Sequence, residues 1–335
     1  MLFEIKDLTK VYGNRTVLDI PELSFEKGIV YSLLGPNGSG KTTLLEILSL
    51  LAPPTTGVVR YNGSPIDFLS NNLTALRREI VMVQQNPVLF TTTVYKNLDF
   101  GLKVRGVPKA KRRRLIEEAL DLVGMRGFIH AEANRLSGGE TQRVAIARAI
   151  VCSPKVILFD EPTSNVDAEN QSAIESILAG IHSQKQVSVI FTTHNLTQAS
   201  RLSQRIISLF EGRAVPSLFE NIFSVNLPPG NEQFKSCLIQ DTIKVSVKTN
   251  KIGSAKLSID PRLIQLEEQP AKDNRRNSFN GRVTQLAEEK DHARIVVDIG
   301  ITLHVLTRED VYRSRPFLVG DKVTVSCPDE SIQVL

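Results

Sequence analysis

The residues best suited to chemistry lie in a glycine-rich segment near the amino terminus. Gly35-Pro-Asn-Gly-Ser-Gly-Lys-Thr42 fits the pattern GxxxxGK followed by Ser or Thr, and it stands between the apolar run 29–34 and the helical pattern 43–51. Glycines let successive backbone N–H groups turn toward phosphate oxygens, and a helix start adds partial positive charge. We therefore expect a phosphate-binding loop, with Lys41 at the β- and γ-phosphates and Thr42 on Mg²⁺.

Two adjacent acids follow a second apolar run. The run 156–159 leads directly into Asp160 and Glu161. By itself such a pair is most often a solvated turn at the end of a strand. Beside a phosphate-binding loop, Asp160 is expected to position Mg²⁺ through its water. Glu161 is expected to act as general base on an attacking water, a role worth about 10²–10⁴-fold in rate.

A third segment lies between these two motifs and carries a family resemblance. Leu136-Ser-Gly-Gly-Glu140, whose serine is 23 residues before Asp160, resembles the LSGGQ signature of ATP-binding-cassette (ABC) ATPases. The resemblance implies a head-to-tail homodimer in which each ATP lies between the phosphate loop of one copy and the signature of the other. The in-trans residues are then Ser137, Gly138, Gly139 and Glu140. Glu140 replaces the usual glutamine; it can accept from a ribose hydroxyl but cannot donate, and we expect function to be retained.

The same resemblance assigns two further polar residues to the reaction. Gln85 resembles the glutamine that touches Mg²⁺ or the water and senses a membrane partner, with Gln84 as the competing assignment. His194, 33 residues after Glu161, resembles the switch histidine. The expected catalytic residues are thus Lys41, Gln85, Glu161 and His194, and the expected Mg²⁺ ligands are Thr42, Gln85 and Asp160.

The resemblance also implies a dimer-interface loop and a platform for the adenine base. Residues 164–167 resemble the D-loop, with Asp167 at its end, and Tyr12 resembles the aromatic residue that stacks on adenine. The expected ATP-binding residues in cis are Tyr12, Gly35, Pro36, Asn37, Gly38, Ser39, Gly40, Lys41, Thr42 and Thr43.

The elements that must position these residues are predicted from hydrophobic patterning. Short apolar runs alternate with helical patterns up to residue 215, which predicts an α/β domain with a largely parallel sheet. Within the resemblance, residues 1–215 are a P-loop (RecA-like) ATPase domain, and 86–135 are its helical subdomain. Predicted strands are 29–34, 80–83, 156–159, 187–192 and 206–210, and helices are predicted after Gly40, Pro108, Gly139 and Asp167.

A different pattern follows this domain. Pro228-Pro229-Gly230 predicts a linker over 216–230, and period-two apolar alternation predicts a small β-barrel over 231–335. Parts of 257–335 resemble the barrel extension (TOBE/Mop-like) of molybdate and tungstate importer ATPases. The resemblance implies that this domain senses imported oxyanion or supports dimerisation. The expected oxyanion donors are Arg275, Arg276, Asn277 and Ser278.

Composition limits the possible partners. The chain has 335 residues, a net charge of +5 and three cysteines too far apart for a metal knuckle. Residues 1–215 hold 25 basic and 20 acidic side chains, whereas 216–335 hold 16 of each. A basic run from Lys103 to Arg114 supplies the whole excess. A local run of this kind is usually a solvated helix face, and attraction to anionic lipid headgroups is the alternative.

Together these features favour one function. We expect an ATP hydrolase that uses Mg²⁺ and energises tungstate or molybdate import as a homodimer on a membrane permease, at the cytoplasmic membrane face and served by a substrate-binding protein. No membrane span or signal peptide is expected. Alternatives are an importer ATPase for sulfate or another small solute, and a non-transport ABC ATPase acting on nucleic acid or ribosomes, although no nucleic acid partner is expected. A nucleotide-binding module without turnover conflicts with the complete set of catalytic residues.

Overall fold

The chain divides into two compact units, residues 1–214 and 215–335. The computed structural model describes residues 1–70, 73–164, 166–185, 187–215, 221–230, 233–268, 277–289 and 292–334. Over these ranges no helix combines the length and the apolar character needed to cross a bilayer. All three cysteines lie in the described ranges and are free thiols.

The first unit is an α/β structure, as the sequence predicts. Its strands are β1 (Phe3–Tyr12), β2 (Arg15–Phe25), β3 (Val30–Leu34), β4 (Thr56–Tyr61), β5 (Ser64–Pro65), β6 (Ile80–Val83), β7 (Val156–Phe159), β8 (Ser188–Thr193), β9 (Arg205–Phe210) and β10 (Arg213–Val215). Its helices are α1 (Lys41–Leu48), α2 (Thr74–Glu79), α3 (Val94–Val104), α4 (Lys109–Leu122), α5 (Gly138–Ile150), α6 (Ala168–Lys185) and α7 (Leu196–Leu202). Two 3₁₀ turns, Arg126–Phe128 and Ala133–Arg135, precede α5.

Two sheets organise this unit. In the part of the chain described, one has the order β10-β9-β3-β8-β7-β6 and the other the order β2-β1-β4-β5. Strand β3 pairs in parallel with both β8 and β9, and β7 pairs in parallel with β8 and β6. The carboxyl ends of β3, β8, β7 and β6 therefore lie at one edge of the larger sheet.

The parallel strands are buried on both faces, which is why they read as continuous apolar runs. In β7, Ile157 and Phe159 pack into a core with helices α3, α4, α5 and α6. Val156 and Leu158 face the opposite way, into a core with α1 and the antiparallel strands β1 and β2. The buried polar side chains among these strands, such as Ser32 of β3 and Thr192 of β8, make hydrogen bonds.

The second unit is built of antiparallel strands. They are β11 (Ile222–Leu227), β12 (Phe234–Ile239), β13 (Ile243–Lys248), β14 (Gly253–Ile259), β15 (Gln265–Glu267), β16 (Ser278–Glu289), β17 (His292–Asp298), β18 (Thr302–Arg308), β19 (Lys322–Ser326) and β20 (Ile332–Val334), with one short helix, α8 (Glu309–Ser314). Within the described ranges they form three sheets, β11-β14-β20, β12-β13 and β15-β19-β16-β17-β18, around a single apolar core.

The predicted linker is wrong over 222–227. These residues form β11, which pairs with β14 from Ile222 opposite Ser258 to Leu227 opposite Gly253. Phe223, Val225 and Leu227 point into the core at period two. The alternation of buried and exposed residues is the signal that indicates a strand, and the Pro-Pro-Gly after it marks only the end of that strand. Residues 216–220 lie outside the described part of the chain.

The basic run is largely neutralised by its own neighbours. Arg113 and Arg114 pair with glutamates one turn further along α4, Glu117 and Glu118. Arg112 reaches back to α3, where its Nη1 lies 3.0 Å from Asp99 Oδ1. Lys109 and Lys111 make no ion pair with the described residues. A solvated helix face whose charges are paired internally fits these contacts better than a lipid-binding patch.

Removing Arg112 should cost much more stability than removing Arg114. The Arg112 and Asp99 side chains are 13% and 15% exposed, whereas Arg114 is 76% exposed. We expect Arg112→Gln to lower the free energy of unfolding by about 2 kcal/mol, because it leaves the poorly solvated Asp99 with only the exposed Lys103, whose Nζ lies 4.0 Å from Asp99 Oδ2, as a charged partner. The control Arg114→Gln should change it by less than about 0.5 kcal/mol. Urea unfolding followed by circular dichroism measures both, and equal effects would contradict the buried role of the Arg112 pair.

Candidate functional site

The strand ends of the larger sheet meet at a cavity of about 370 Å³. It brings together the glycine-rich loop, Gln85 after β6 and Glu161 after β7. Arg15 and Val17 of β2 form a further wall that sequence reasoning did not identify. The complete lining is Arg15, Val17, Asn37, Gly38, Gly40, Lys41, Thr42, Thr43, Gln85 and Glu161.

The glycine-rich loop joins β3 to α1 through a left-handed turn. Gly40, the residue before α1, has φ of 99°, a conformation that side chains with a Cβ rarely adopt. Lys41 follows at once and is buried; its Nζ donates to the carbonyl oxygens of Gly35 at 2.8 Å and Pro36 at 3.0 Å. Burial lowers the pKa of the Lys41 ammonium, while the carboxylates of Glu161 and Asp160 oppose that shift. A phosphate in the loop would supply the counter-charge that burial demands.

The Asp160 carboxylate is held by two threonine hydroxyls. Thr42 Oγ1 donates to Asp160 Oδ2 at 2.8 Å, and Thr192 Oγ1 donates to Asp160 Oδ1 at 2.8 Å. The carboxylate is buried, so both bonds fix its orientation. Asp160 thereby connects the start of α1 to the neighbouring strand β8. Thr192 is a site residue that the sequence analysis missed, because a threonine inside an apolar strand gives no motif.

Thr192 also fixes the next residue, Glu161. Its hydroxyl oxygen accepts from the Glu161 backbone N–H at 2.7 Å, and Glu161 has a left-handed φ of 39°. The Glu161 side chain is 13% exposed. Its Oε1 lies 3.7 Å from Lys41 Nζ, and its Oε2 lies 3.4 Å from Nδ1 of His194. One carboxylate thus stands between a buried ammonium and an imidazole, at the wall of the cavity.

The structure separates the two candidate glutamines. Gln85 lines the cavity with Lys41 and Glu161. Gln84 lines a different cavity of about 390 Å³, together with Phe100 of α3 and Arg148 of α5. The geometry therefore favours Gln85 for contact with the phosphate site. Gln84 faces the helical part of the unit.

Tyr12 lies beside the cavity without lining it. It is exposed, Lys10 Nζ lies 4.8 Å from its ring centre, and it pairs with Arg15 at the β1–β2 turn. Because Arg15 does line the cavity, Tyr12 stands next to its mouth with its ring accessible. That position is compatible with stacking on a base, and the assignment stays a prediction.

The signature segment forms a capped helix start away from the cavity. Ser137 precedes α5; its Oγ accepts from the Glu140 N–H at 3.3 Å, and Glu140 Oε2 accepts from the Ser137 N–H at 2.8 Å. This capping box accepts Glu or Gln equally, so Glu140 preserves the local structure. Ser137 and Gly138 are exposed, and no residue of the segment 137–140 lines the cavity of its own chain.

A buried polar cluster behind the site was also missed. Gln198 of α7 accepts from Thr193 Oγ1 at 2.7 Å and donates to Thr163 Oγ1 at 2.7 Å and to Glu175 Oε1 at 2.9 Å. Arg201 pairs with the same glutamate. The cluster connects the segment that carries His194 to the loop after Glu161. Its members lie in two stretches of the chain, 163–175 and 193–201, so only the fold brings them together.

The oxyanion candidates receive little support from the described residues. Arg275 and Arg276 lie outside the described part of the chain. Asn277 is buried, and its amide accepts from the Ser246 N–H at 2.7 Å and donates to the Ser246 carbonyl at 2.9 Å. The Ser278 hydroxyl lies 3.3 Å from that of Ser326. Both side chains therefore bind neighbouring strands of the second unit.

Comparison with known proteins identifies relatives of the first unit. Residues 18–164 match the family model described as ABC transporter. The tungstate uptake system ATP-binding protein of Peptoclostridium acidaminophilum is 37% identical over 213 residues, which cover 64% of this chain and 96% of that protein. The Fe(3+) ions import ATP-binding protein of Pasteurella multocida is 33% identical over 260 residues, which cover 75% of this chain and 73% of that protein.

A solved structure shows the same fold. It is the dimeric structure of a post-hydrolysis state of an ATP-binding cassette bound to ADP and Pi, with a TM-score of 0.58 and 31% identity. The match covers 64% of this chain and 96% of the solved chain.

Loss of the Thr192 hydroxyl should destabilise the first unit. Thr192→Val keeps the shape of the side chain but leaves Asp160 Oδ1 and the Glu161 N–H without this partner. We expect a loss of about 1–3 kcal/mol in the free energy of unfolding, the cost of leaving buried polar groups unsatisfied. Thr16→Val, an exposed change on β2, is the matched control. Denaturant unfolding measures both, and equal stability of the two variants would show that Thr192 does not hold the acids.

Proposed function

The chain belongs to the ATP-binding subunits of ABC transporters, which hydrolyse ATP, and from this premise we propose that it energises import of an oxyanion, tungstate or molybdate, through a membrane permease. The observation that carries the proposal is the Glu161 carboxylate between Lys41 and His194 at the wall of a phosphate-loop cavity. Support for the substrate comes from the tungstate relative and from the resemblance in the second unit.

In the proposed reaction Glu161 is the general base. A water oxygen bonds to the γ-phosphorus of ATP, the bond from that phosphorus to the bridging oxygen breaks, and Glu161 takes the proton of the water. His194, 3.4 Å from Glu161, orients the carboxylate, and Lys41 binds the β- and γ-phosphates. The backbone N–H groups of the glycine-rich loop bind the remaining phosphate oxygens.

The oxygen ligands at the cavity fit Mg²⁺. Thr42 contributes a hydroxyl, Asp160 a carboxylate and Gln85 an amide oxygen, which are hard ligands of the kind that Mg²⁺ binds. Among the described residues no group of three or more His, Cys, Asp or Glu could hold a metal. This agrees with an ion that takes most of its ligands from phosphate and water. When bound, Mg²⁺ supplies neutralisation of the phosphate charge.

A second copy of the chain completes each proposed site. The segment 137–140 starts a helix with Ser137 and Gly138 exposed, and none of its residues lines its own cavity. Ser137 Oγ accepts a hydrogen bond within its own helix, so its proton stays available for a γ-phosphate oxygen. In the proposed head-to-tail dimer, Ser137, Gly138, Gly139 and Glu140 bind the ATP held by the other copy, and Asp167 lies at the interface.

The second cavity of the first unit is the proposed contact with the permease. Apolar side chains surround it, and Val88, Phe100 and Val104 are largely exposed. Arg148 Nη1 donates to the Val88 carbonyl at 3.0 Å and holds the loop at the rim. Gln84 lines this cavity and its neighbour Gln85 lines the other. Because Gln84 and Gln85 are adjacent in the chain, a movement of Gln84 caused by the permease would also move Gln85 at the phosphate site. We propose that the subunit works at the cytoplasmic face of the membrane. A substrate-binding protein then acts on it only through the permease.

A ferric ion importer is the second candidate. The match to the tungstate relative covers 64% of this chain, about the first unit, and nearly all of that relative. The match to the Fe(3+) relative covers 75% of this chain, more than the first unit contains, so it extends into the second unit. The second unit therefore has a counterpart, at least in part, in the ferric relative. We propose for it a role in dimer support or regulation.

Glu161→Gln should abolish turnover while preserving ATP binding. The amide keeps the size of the side chain but cannot take a proton, so we expect kcat to fall about 10²–10³-fold. Phosphate release at saturating Mg²⁺ and ATP measures the effect. Glu22→Gln, an exposed carboxylate on β2, should hydrolyse ATP at the normal rate. Wild-type turnover in Glu161→Gln would exclude Glu161 as the base.

Reconstitution with the permease and binding protein tests the substrate. ATP turnover in proteoliposomes is measured with tungstate, molybdate, sulfate, phosphate and Fe³⁺ in turn. We expect stimulation by tungstate or molybdate. Stimulation by Fe³⁺ alone would establish the second candidate, and stimulation by sulfate or phosphate alone would assign another anion importer.

A further inference from the structure

Asn170 lies where two segments of the proposed dimer interface meet within one chain. It is the third residue of α6, directly after the loop that ends at Asp167. Gly139 and Arg143 of α5 lie against it. Neither the sequence motifs nor the proposed reaction gives this residue a role.

On one side Asn170 holds Asp167. Its backbone N–H donates to Asp167 Oδ1 at 2.9 Å, and its side-chain Nδ2 donates to Asp167 Oδ2 at 2.8 Å. Asp167 is exposed, and these hydrogen bonds hold the pKa of its carboxyl below the usual range. Both carboxylate oxygens are thereby fixed in direction although the side chain faces solvent.

On the other side Asn170 supports the start of the signature helix. Its Oδ1 accepts from Arg143 Nη1, one turn into α5. Gly139 packs so closely that a Cβ at this position would overlap the side-chain amide of Asn170. The side-chain oxygen of Asn170 thus accepts from α5, and its side-chain nitrogen donates to Asp167. Aspartate at this position would keep the acceptor but lose the donor, and it would place a second carboxylate beside Asp167.

Resting on the proposed function, we propose that Asn170 is a positioning residue that fixes the signature segment and the Asp167 loop as one rigid docking surface for the second copy. Ser137, Gly138 and Asp167 are exposed, and in the proposed arrangement both segments act across the dimer. Asn170 itself is half-buried and binds them from behind. Its loss should therefore weaken ATP-driven dimerisation while the phosphate loop of the same chain, on the other side of the site, still binds nucleotide.

The test measures dimerisation and nucleotide binding separately in the full chain. All variants carry Glu161→Gln, so that ATP is bound but not consumed. Light scattering after gel filtration follows the dimer fraction against ATP concentration, and mant-ATP fluorescence measures nucleotide affinity at protein concentrations where the chain is monomeric. Asn170→Asp removes the donor to Asp167. Asn170→Ala removes both side-chain contacts without adding charge, and it serves if the aspartate variant folds poorly.

We expect the ATP concentration for half-dimerisation to rise about tenfold in both variants, the effect of losing hydrogen bonds to charged partners. Mant-ATP affinity of the monomer should change by less than about twofold. Glu169→Gln, an exposed change on the preceding residue, should behave like the parent. Unchanged dimerisation in Asn170→Asp and Asn170→Ala would overturn the inference, as would an equal loss of mant-ATP affinity. Failure of the parent Glu161→Gln chain to dimerise with ATP would instead overturn the proposed function.

Discussion

The carboxylate of Asp160, held between two threonine hydroxyls, is the interaction on which the site depends. Thr42 is the second residue of α1, and Thr192 lies in β8, next to the strand that Asp160 follows. A buried carboxylate needs donors, and here they come from two different elements. The bonds therefore set the loop, the acid and the neighbouring strand in one register. The position of Glu161 follows, because its N–H also binds Thr192.

Polar side chains behind this layer make further hydrogen bonds, which hold the neighbouring loops and helices in place. Gln198 joins Thr193, Thr163 and Glu175, and so ties the histidine-bearing segment to the loop after Glu161. Separately, Asn170 joins Asp167 to Gly139 and Arg143 of the signature helix. Each amide is oriented by having both a donor and an acceptor in use, which makes such residues good rigid connectors. The reacting groups are thus supported by side chains that never touch the cavity.

The sequence predicts this site unevenly, for physical reasons. Apolar runs buried on both faces, such as β3 and β7, stand out because such strands are mostly apolar and lack the regular apolar–polar alternation of half-exposed strands. The glycine-rich loop and the signature segment are contiguous, so their spacing is visible. Thr192, Gln198 and Asn170 are single polar residues whose partners are brought close only by tertiary packing. The strand at 222–227 was not predicted because the Pro-Pro-Gly directly after it is typical of a linker, although the strand itself has a period-two apolar pattern.

In the proposed reaction, the left-handed backbone of Glu161 places stability and turnover in opposition at one residue. A non-glycine residue in that region stores about 1–3 kcal/mol of strain. Glycine would relieve the strain but remove the carboxylate. In the proposed reaction that carboxylate is the general base, so selection for heat resistance alone at this position would oppose turnover. Thermostable variants of this chain must gain their stability elsewhere, in the apolar cores or in the second unit.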